Sequence, residues 1–176
     1  VEINADPPSS MWAKSSAMYY EREFYFDGKT FTLYSPGLGF YASFDAPGTI
    51  GEVLAKAGDE YDVELPLADL FIWGTDAGAE AAIDEAMIIG VDKVDGVSCN
   101  HFAFRQSEID WQICIRRGDT PLPLKLVITS KEEAAQPQYE SVLKWDTAPA
   151  LRGQSYTIAP RDGDSKISFS KAAADK

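Results

Sequence analysis

The stretch from Arg22 to Asp45, REFYFDGKTFTLYSPGLGFYASFD, decides the fold. Apolar and polar residues alternate in its three parts, which is typical of half-buried strands. Two glycine-containing turns separate these parts, at Asp27-Gly28 and at residues 36–39. We interpret the first as a two-residue type I′ turn, because an Asp-Gly pair favours the positive φ angles of that geometry. The stretch therefore predicts an antiparallel three-stranded meander.

The two turns place the same side chains on one face of the meander. The first turn predicts that Phe24 pairs with Phe31, and the second predicts that Phe31 pairs with Phe44. A slip of one residue in either hairpin would move these rings to the opposite face. The aromatic face is predicted to consist of Phe24, Phe26, Phe31, Leu33, Phe40, Ala42 and Phe44. We expect three tyrosines, Tyr25, Tyr34 and Tyr41, to be exposed on the other face.

The composition of the chain excludes several classes of function. Of its 176 residues, 16 are Lys or Arg and 28 are Asp or Glu, a formal net charge of −12. This charge disfavours binding to nucleic acid and to anionic membrane surfaces, both of which require clustered cations. No apolar run approaches the ~18 residues of a membrane span. With the single histidine, His101, the sequence predicts no metal site, no cofactor and no catalytic machinery.

Two short helices are predicted after the meander. Thr49 and Glu52 have the spacing of a capping box, and apolar residues at helical spacing predict a helix over Ile50–Ala57 that ends at Gly58. The segment Leu65–Gly74 predicts a second helix, which is apolar almost all round and should therefore be covered by other elements.

The strand pattern then returns and continues to the end of the domain. A second Asp-Gly turn, Asp95-Gly96, pairs Ile89 with Phe102, and the next strand pairs Phe102 with Ile113. Helices and parallel strands do not alternate, so a Rossmann-type sheet is excluded. The predicted class is α+β, with an antiparallel sheet and short helices.

The two cysteines, Cys99 and Cys114, could form a disulfide in an oxidising compartment. The predicted register places Cys99 opposite Arg116 and Cys114 opposite His101. The cysteines then share a face but lie diagonally, at about 7–8 Å between Cα atoms. This separation disfavours a bridge.

Two other groups of polar residues have a functional and a structural interpretation. His101 near a carboxylate suggests acid–base chemistry, but without a partner motif we favour a surface position. The acidic residues between Asp59 and Glu64 suggest Ca²⁺, but they lack the ligand spacing of a Ca²⁺-binding loop. We expect them to form a solvated face.

Several segments resemble a known family. They are residues 24–30 (FYFDGKT), residues 47–50 (PGTI) followed by 64–70 (ELPLADL), and residues 94–125, which contain VDGVSCNH, FRQ, DWQ and PLPLK. Together they resemble an uncharacterised family of predicted bacterial periplasmic proteins, over about residues 20–160. That family is similar to the lipoprotein carriers LolA and LolB and to mycobacterial lipid-carrying lipoproteins.

The resemblance implies a fold and a compartment. It implies a curved antiparallel sheet, an incomplete β-barrel, with the short helices packed on its concave face. It also implies a single LolA-like domain over residues 1–170, a frayed tail at 171–176, and a secretory signal and a first helix before Val1. The expected location is the periplasm.

The function expected from this resemblance is binding or transport of a lipid or of the acyl chain of a lipoprotein, without catalysis. The aromatic face is then either the lining of a cavity or ordinary core. The alternative is a protein-interaction module with a closed core, an envelope stress sensor or assembly factor whose partners are envelope proteins. If there is a cavity, we expect it to be lined by Phe24, Phe31, Phe44, Leu70, Phe71, Trp73, Ile89, Phe102 and Trp111.

Overall fold

A computed structural model describes the chain at residues 1–17, 20–46, 48–73, 82–149 and 155–171. It divides into two compact units, the first formed by residues 1–78 and 151–176 and the second by residues 79–150. Most of the described structure is β-sheet, and the strands form two sheets, one in each unit. The expected antiparallel sheet with short helices is confirmed, but the strands do not form the single sheet that we predicted.

The elements follow one another along the chain in a simple order. They are β1 (Glu2–Asp6), β2 (Ser10–Ala17), β3 (Tyr20–Phe26), β4 (Thr30–Ser35), β5 (Phe40–Asp45), α1 (Ile50–Tyr61), α2 (Asp69–Ile72), β6 (Glu85–Val94), β7 (Val97–Arg105), β8 (Ile109–Arg116), β9 (Pro123–Ser130), β10 (Gln138–Val142) and β11 (Ser165–Ile167).

The first unit contains a six-stranded sheet with the order β1-β2-β3-β4-β5-β11. Strands β1 to β5 form an antiparallel meander, and β11 joins it in parallel beside β5. The predicted pairing of Phe31 with Phe44 is confirmed. The first hairpin differs from the prediction by two residues, since Phe24 pairs with Leu33 instead of Phe31.

The side chain of Asp27 explains this difference in register. Its Oδ1 accepts hydrogen bonds from the backbone N–H groups of Lys29 and Thr30, at 3.0 and 2.8 Å. The carboxylate thus stabilises a four-residue loop, as Asp often does in turns, and a two-residue type I′ turn does not form. A shift of two residues keeps every side chain on its predicted face, so the aromatic face survives the error.

Most of the aromatic face forms a core with helix α1, but Phe40, which was predicted to belong to this face, is 45% exposed. Phe24, Phe26 and Phe31 are at most 1% exposed, and they pack against the buried face of α1, which includes Val53 and Ala57. The predicted capping box is present: the Thr49 side chain accepts a hydrogen bond from the Glu52 N–H, and the Glu52 carboxylate accepts one from the Thr49 N–H.

Both helices differ in length from the prediction. Helix α1 continues beyond Gly58 to Tyr61 and ends at Asp62, whose φ of 54° is left-handed. Helix α2 covers only Asp69–Ile72, because Leu67 has a positive φ of 69° and cannot continue a right-handed helix. The predicted end at Gly74 lies outside the described residues, as do residues 172–176 of the predicted frayed tail.

The expectation of three exposed tyrosines is wrong, since Tyr41 is half-buried and Tyr34 is buried. The Tyr34 side chain is 4% exposed, and its hydroxyl donates a hydrogen bond of 2.7 Å to Asp164 Oδ2 just before β11. Tyr25 is half-buried and donates to Glu23. Burial and this hydrogen bond raise the pKa of Tyr25 to about 12.

The second unit contains a five-stranded antiparallel sheet with the order β10-β9-β8-β7-β6. The predicted turn at Asp95-Gly96 is confirmed, with φ angles of 48° and 82°. A β-bulge between Ile88 and Gly90 then shifts the register, so Phe102 pairs with Ile88 instead of Ile89. The predicted pairing of Phe102 with Ile113 is confirmed.

The cysteines form a disulfide bond, against the geometric expectation. Cys99 and Cys114 lie on the predicted diagonal, but their Cα atoms are only 5.5 Å apart. A right-handed twist between neighbouring strands makes the two diagonals unequal, and the estimate from a flat ladder did not include this effect. The bridge is buried and forms a small core with Leu124.

Candidate functional site

The five-stranded sheet of the second unit has one strongly apolar face. Paired residues on neighbouring strands point to the same side of a sheet, and two adjacent rows of paired residues cross all the strands. The first row is Ile88, Phe102, Ile113, Leu126 and Ser141, and the second is Ala86, Phe104, Trp111, Ile128 and Tyr139. We call these ten positions the apolar face; Ser141 is its one hydrophilic member apart from the Tyr139 hydroxyl.

The apolar face is closed at its centre and open toward its edges. Leu126 and Ile113 are 1% and 6% exposed, whereas Ile88 and Tyr139 on the two edge strands are 75% and 43% exposed. Phe104 and Trp111 are half-buried and stack with ring centroids 4.0 Å apart. The face therefore offers partly accessible aromatic and aliphatic groups around a packed centre.

The opposite face of the same sheet is polar. It carries three cross-strand or adjacent ion pairs: Glu85 with Arg105 at 3.2 Å, Lys125 with Glu140 at 2.9 Å, and Asp110 with Lys131 at 3.1 Å. The buried disulfide of Cys99 and Cys114 lies on this side as well, so the face is polar only outside that bridge.

His101 lies on this polar face and not on the apolar one. Its Nε2 is 3.0 Å from Gln112 Oε1, and its Nδ1 is 3.8 Å from Asp92 Oδ2. Both neighbours are polar side chains on adjacent strands, and this arrangement fits the surface position predicted from the sequence.

The structure separates the predicted cavity residues into three groups. The largest group lies in the first unit, where Phe24 and Phe31 are fully buried and Phe44 and Phe71 pack against the same core. Leu70 and Trp73 are half-buried in that unit. Phe102 and Trp111 lie on the apolar face, one in each row. Ile89 is 51% exposed at the bulge in β6.

Some members of the apolar face were not among the predicted cavity residues. They are Phe104, Ile113, Leu126 and Ile128, each of which follows the strict alternation of its strand. The sequence signal was present, because Phe102 was predicted to pair with Ile113, and the alternation of β7 places Phe104 on the same face as Phe102. Completing these rows into β9 would have found the other two residues.

Metal ligands and membrane-spanning helices also bear on function in the part of the chain that the structure describes. There, no group of three or more His, Cys, Asp or Glu side chains is arranged to hold a metal ion. Among the same residues, no helix has the length and apolar character that crossing a membrane requires.

Comparison with protein families identifies the chain. A family model described as "Predicted periplasmic protein (DUF2092)" matches residues 1–170. The chain belongs to this family. The expected periplasmic location is therefore confirmed, and the buried disulfide agrees with an oxidising compartment. Comparison with curated proteins finds no significant match.

Proposed function

We propose that this member of the DUF2092 family is a periplasmic binding or carrier protein for acyl chains of a lipid or lipoprotein, and that it performs no chemistry. The observation that carries the proposal is the pair of apolar rows across the second sheet, opposite a face rich in ion pairs. A relationship to the LolA and LolB carriers, with their incomplete barrel, is part of the same proposal.

The energetics of an acyl ligand are compatible with such a surface. Burial of a sixteen-carbon chain provides on the order of 10 kcal/mol gross, at ~0.8 kcal/mol per CH₂ group. The loss of freedom on binding removes a large share of this free energy. An aromatic and aliphatic surface is therefore sufficient for useful affinity, and a polar catalytic group is not required.

The first test asks whether the protein carries and binds acyl chains. Protein isolated from the periplasm should retain lipid in native mass spectrometry, and delipidated protein should bind a fluorescent hexadecanoate analogue. Wild-type protein that retains no lipid and does not bind the analogue would refute the proposal.

A matched pair of variants locates the site. Ile128 on the apolar face and Val127 on the polar face are adjacent in β9, and both are half-buried. Ile128→Glu should weaken binding of the analogue at least about tenfold, because a carboxylate is costly to desolvate against an acyl chain. Val127→Glu should leave binding within about twofold of wild type. Circular dichroism controls for folding, and Ile128→Ser replaces the glutamate variant if that variant unfolds.

A second candidate function is a protein-interaction module, such as an envelope stress sensor or assembly factor. The aromatic core of the first unit favours it, since Phe24, Phe26 and Phe31 are buried and pack against α1. If this candidate is right, the fluorescent analogue does not bind, and a tagged wild-type protein captures a specific envelope protein from periplasmic extract.

A further inference from the structure

A row of polar residues borders the apolar face at one end of its strands. Lys93 pairs with Ser98, and the Arg117 N–H donates a hydrogen bond of 3.1 Å to the Ser98 carbonyl, which continues the ladder from β7 to β8. By the alternation of β7, Ser98 lies on the same side of the sheet as Phe102 and Phe104. Lys93 and Arg117 therefore lie on the side of the apolar face. We call Lys93, Ser98 and Arg117 the basic row.

The two cations of the basic row belong to those cations of the second unit that form no ion pair with a described residue. Arg105, Lys125 and Lys131 each form an ion pair with a carboxylate. Among the residues that the structure describes, Lys93 and Arg117 have no carboxylate oxygen within 4.0 Å, and both are exposed.

The carboxylate nearest in sequence to Lys93 is directed away from the basic row. Asp92 pairs with Cys99 on the polar face, where its Oδ2 lies 3.8 Å from His101 Nδ1. Its Oδ1 accepts a hydrogen bond of 2.7 Å from the Lys93 backbone N–H, so Asp92 contacts the main chain of Lys93 and not its ammonium group. The charge of Lys93 is left available to a ligand.

The distance from the basic row to the far apolar row suits a long-chain amphiphile. Six residues separate Ser98 from Phe104 along β7, or about 20 Å at ~3.4 Å per residue. Between these rows the face carries Val91, the exposed polar residue Asn100 and Ile115, and then Phe102 and Ile113. A cationic end followed by an apolar surface is complementary to a molecule with an anionic head and an extended acyl chain.

We propose that the ligand is an anionic amphiphile, whose carboxylate or phosphate head contacts Lys93 and Arg117 while its acyl chain lies along the apolar face. This inference rests on the acyl-binding function proposed above and specifies the ligand class for the same site. The lysine and the arginine add a preference for charge, and the apolar rows provide most of the affinity.

The test compares two ligands with the same chain, hexadecanoate and hexadecan-1-ol, on delipidated full-length protein. Wild type should prefer hexadecanoate at an ionic strength of about 0.01 M and lose part of this preference at about 0.15 M, where the screening length falls to ~8 Å. The double variant Lys93→Gln/Arg117→Gln should bind hexadecanoate about 5- to 30-fold more weakly and hexadecan-1-ol as well as wild type does.

Two controls separate this inference from its alternatives. Lys144→Gln/Lys166→Gln makes the same change in net charge at two exposed lysines outside the basic row, and it should bind both ligands like wild type. A large excess of inorganic phosphate should not displace hexadecanoate at constant ionic strength, whereas displacement would show an anion site independent of the chain and overturn the proposal.

The remaining outcomes distinguish the preference for an anionic head from acyl binding itself. If wild type binds both ligands equally and the double variant changes neither, the preference for an anionic head is refuted and acyl binding stands. If wild type binds neither ligand, acyl binding itself is refuted.

Discussion

The disulfide between Cys99 and Cys114 allows the sharpest prediction about stability. The cysteines are 15 residues apart in sequence, and both are buried in the second unit. In the chain-entropy description, a cross-link that closes a loop of this length stabilises the folded state by about 3 kcal/mol. We expect Cys99→Ala/Cys114→Ala to lower the free energy of unfolding by about this amount, with a further loss from the missing sulfur contacts.

Urea denaturation measures the effect. At a typical slope of ~1–3 kcal/mol per M, a loss of 3 kcal/mol lowers the transition midpoint by about 1–3 M. Trp111 and Trp145 report on the second unit, whereas Trp12 and Trp73 report on the first, so single-tryptophan backgrounds can assign the change to one unit. Dithiothreitol on wild type provides the matched control, because it reduces the bridge to two thiols and keeps both sulfur atoms in place.

Two results would refute this reasoning. One is the detection of free thiols in unfolded protein that was purified without reductant, since the bridge would then not form. The other is a double-alanine variant whose transition for the second unit matches that of oxidised wild type.

Two further predictions concern the cap of α1 and the edge of the second sheet. Hydrogen bonds from the backbone and side chain of Thr49 lower the pKa of Glu52. The contribution of these bonds to the stability of the folded protein is therefore complete above the unfolded pKa of ~4.3. It is lost as the pH falls through the lower folded pKa. Thr49→Ala should cost about 1 kcal/mol at pH 7 in urea titrations and less at pH 3, and an equal cost at both pH values would contradict this. Strand β6 is an edge strand with Met87 59% exposed, so wild type should self-associate at high concentration. Sedimentation should show that Met87→Lys reduces this association and that Val142→Lys on the other edge does not; equal effects would argue against β6.

Local patterns in the sequence were sufficient to predict the faces of the first meander, but not every register and not the faces of β6 before its bulge. The loop at residues 36–39 was placed correctly, whereas the Asp27 carboxylate lengthened the first turn through two hydrogen bonds that alternation does not encode. The bulge before Gly90 shifted β6 by one residue, so Ile88 and not Ile89 shares a face with Phe102. A shift of two residues, as in the first hairpin, keeps the aromatic face, whereas a shift of one residue does not keep the predicted face.

The features that failed depend on contacts between distant parts of the chain. The division of the strands into two sheets does not follow from the periodicity of any one strand. Tyr34 was assigned to an exposed face because its partner, Asp164, is 130 residues away in sequence. The candidate site follows the same rule: Phe102 and Trp111 were predicted from their own strands, whereas Lys93 and Arg117 become a site only when β6, β7 and β8 are seen side by side.

The two faces of the second sheet present different chemical groups to a ligand, and this difference bears on the carrier function proposed above. The groups able to exchange protons, among them His101 and Asp92, lie on the polar face and bind one another or their neighbours. The apolar face presents rings and aliphatic side chains, with charge only at its basic end. An acyl chain on that face would be separated from His101 by the thickness of the sheet. Apart from the basic row, this arrangement keeps the acyl chain away from the titratable groups of the polar face, in keeping with the carrier function proposed above.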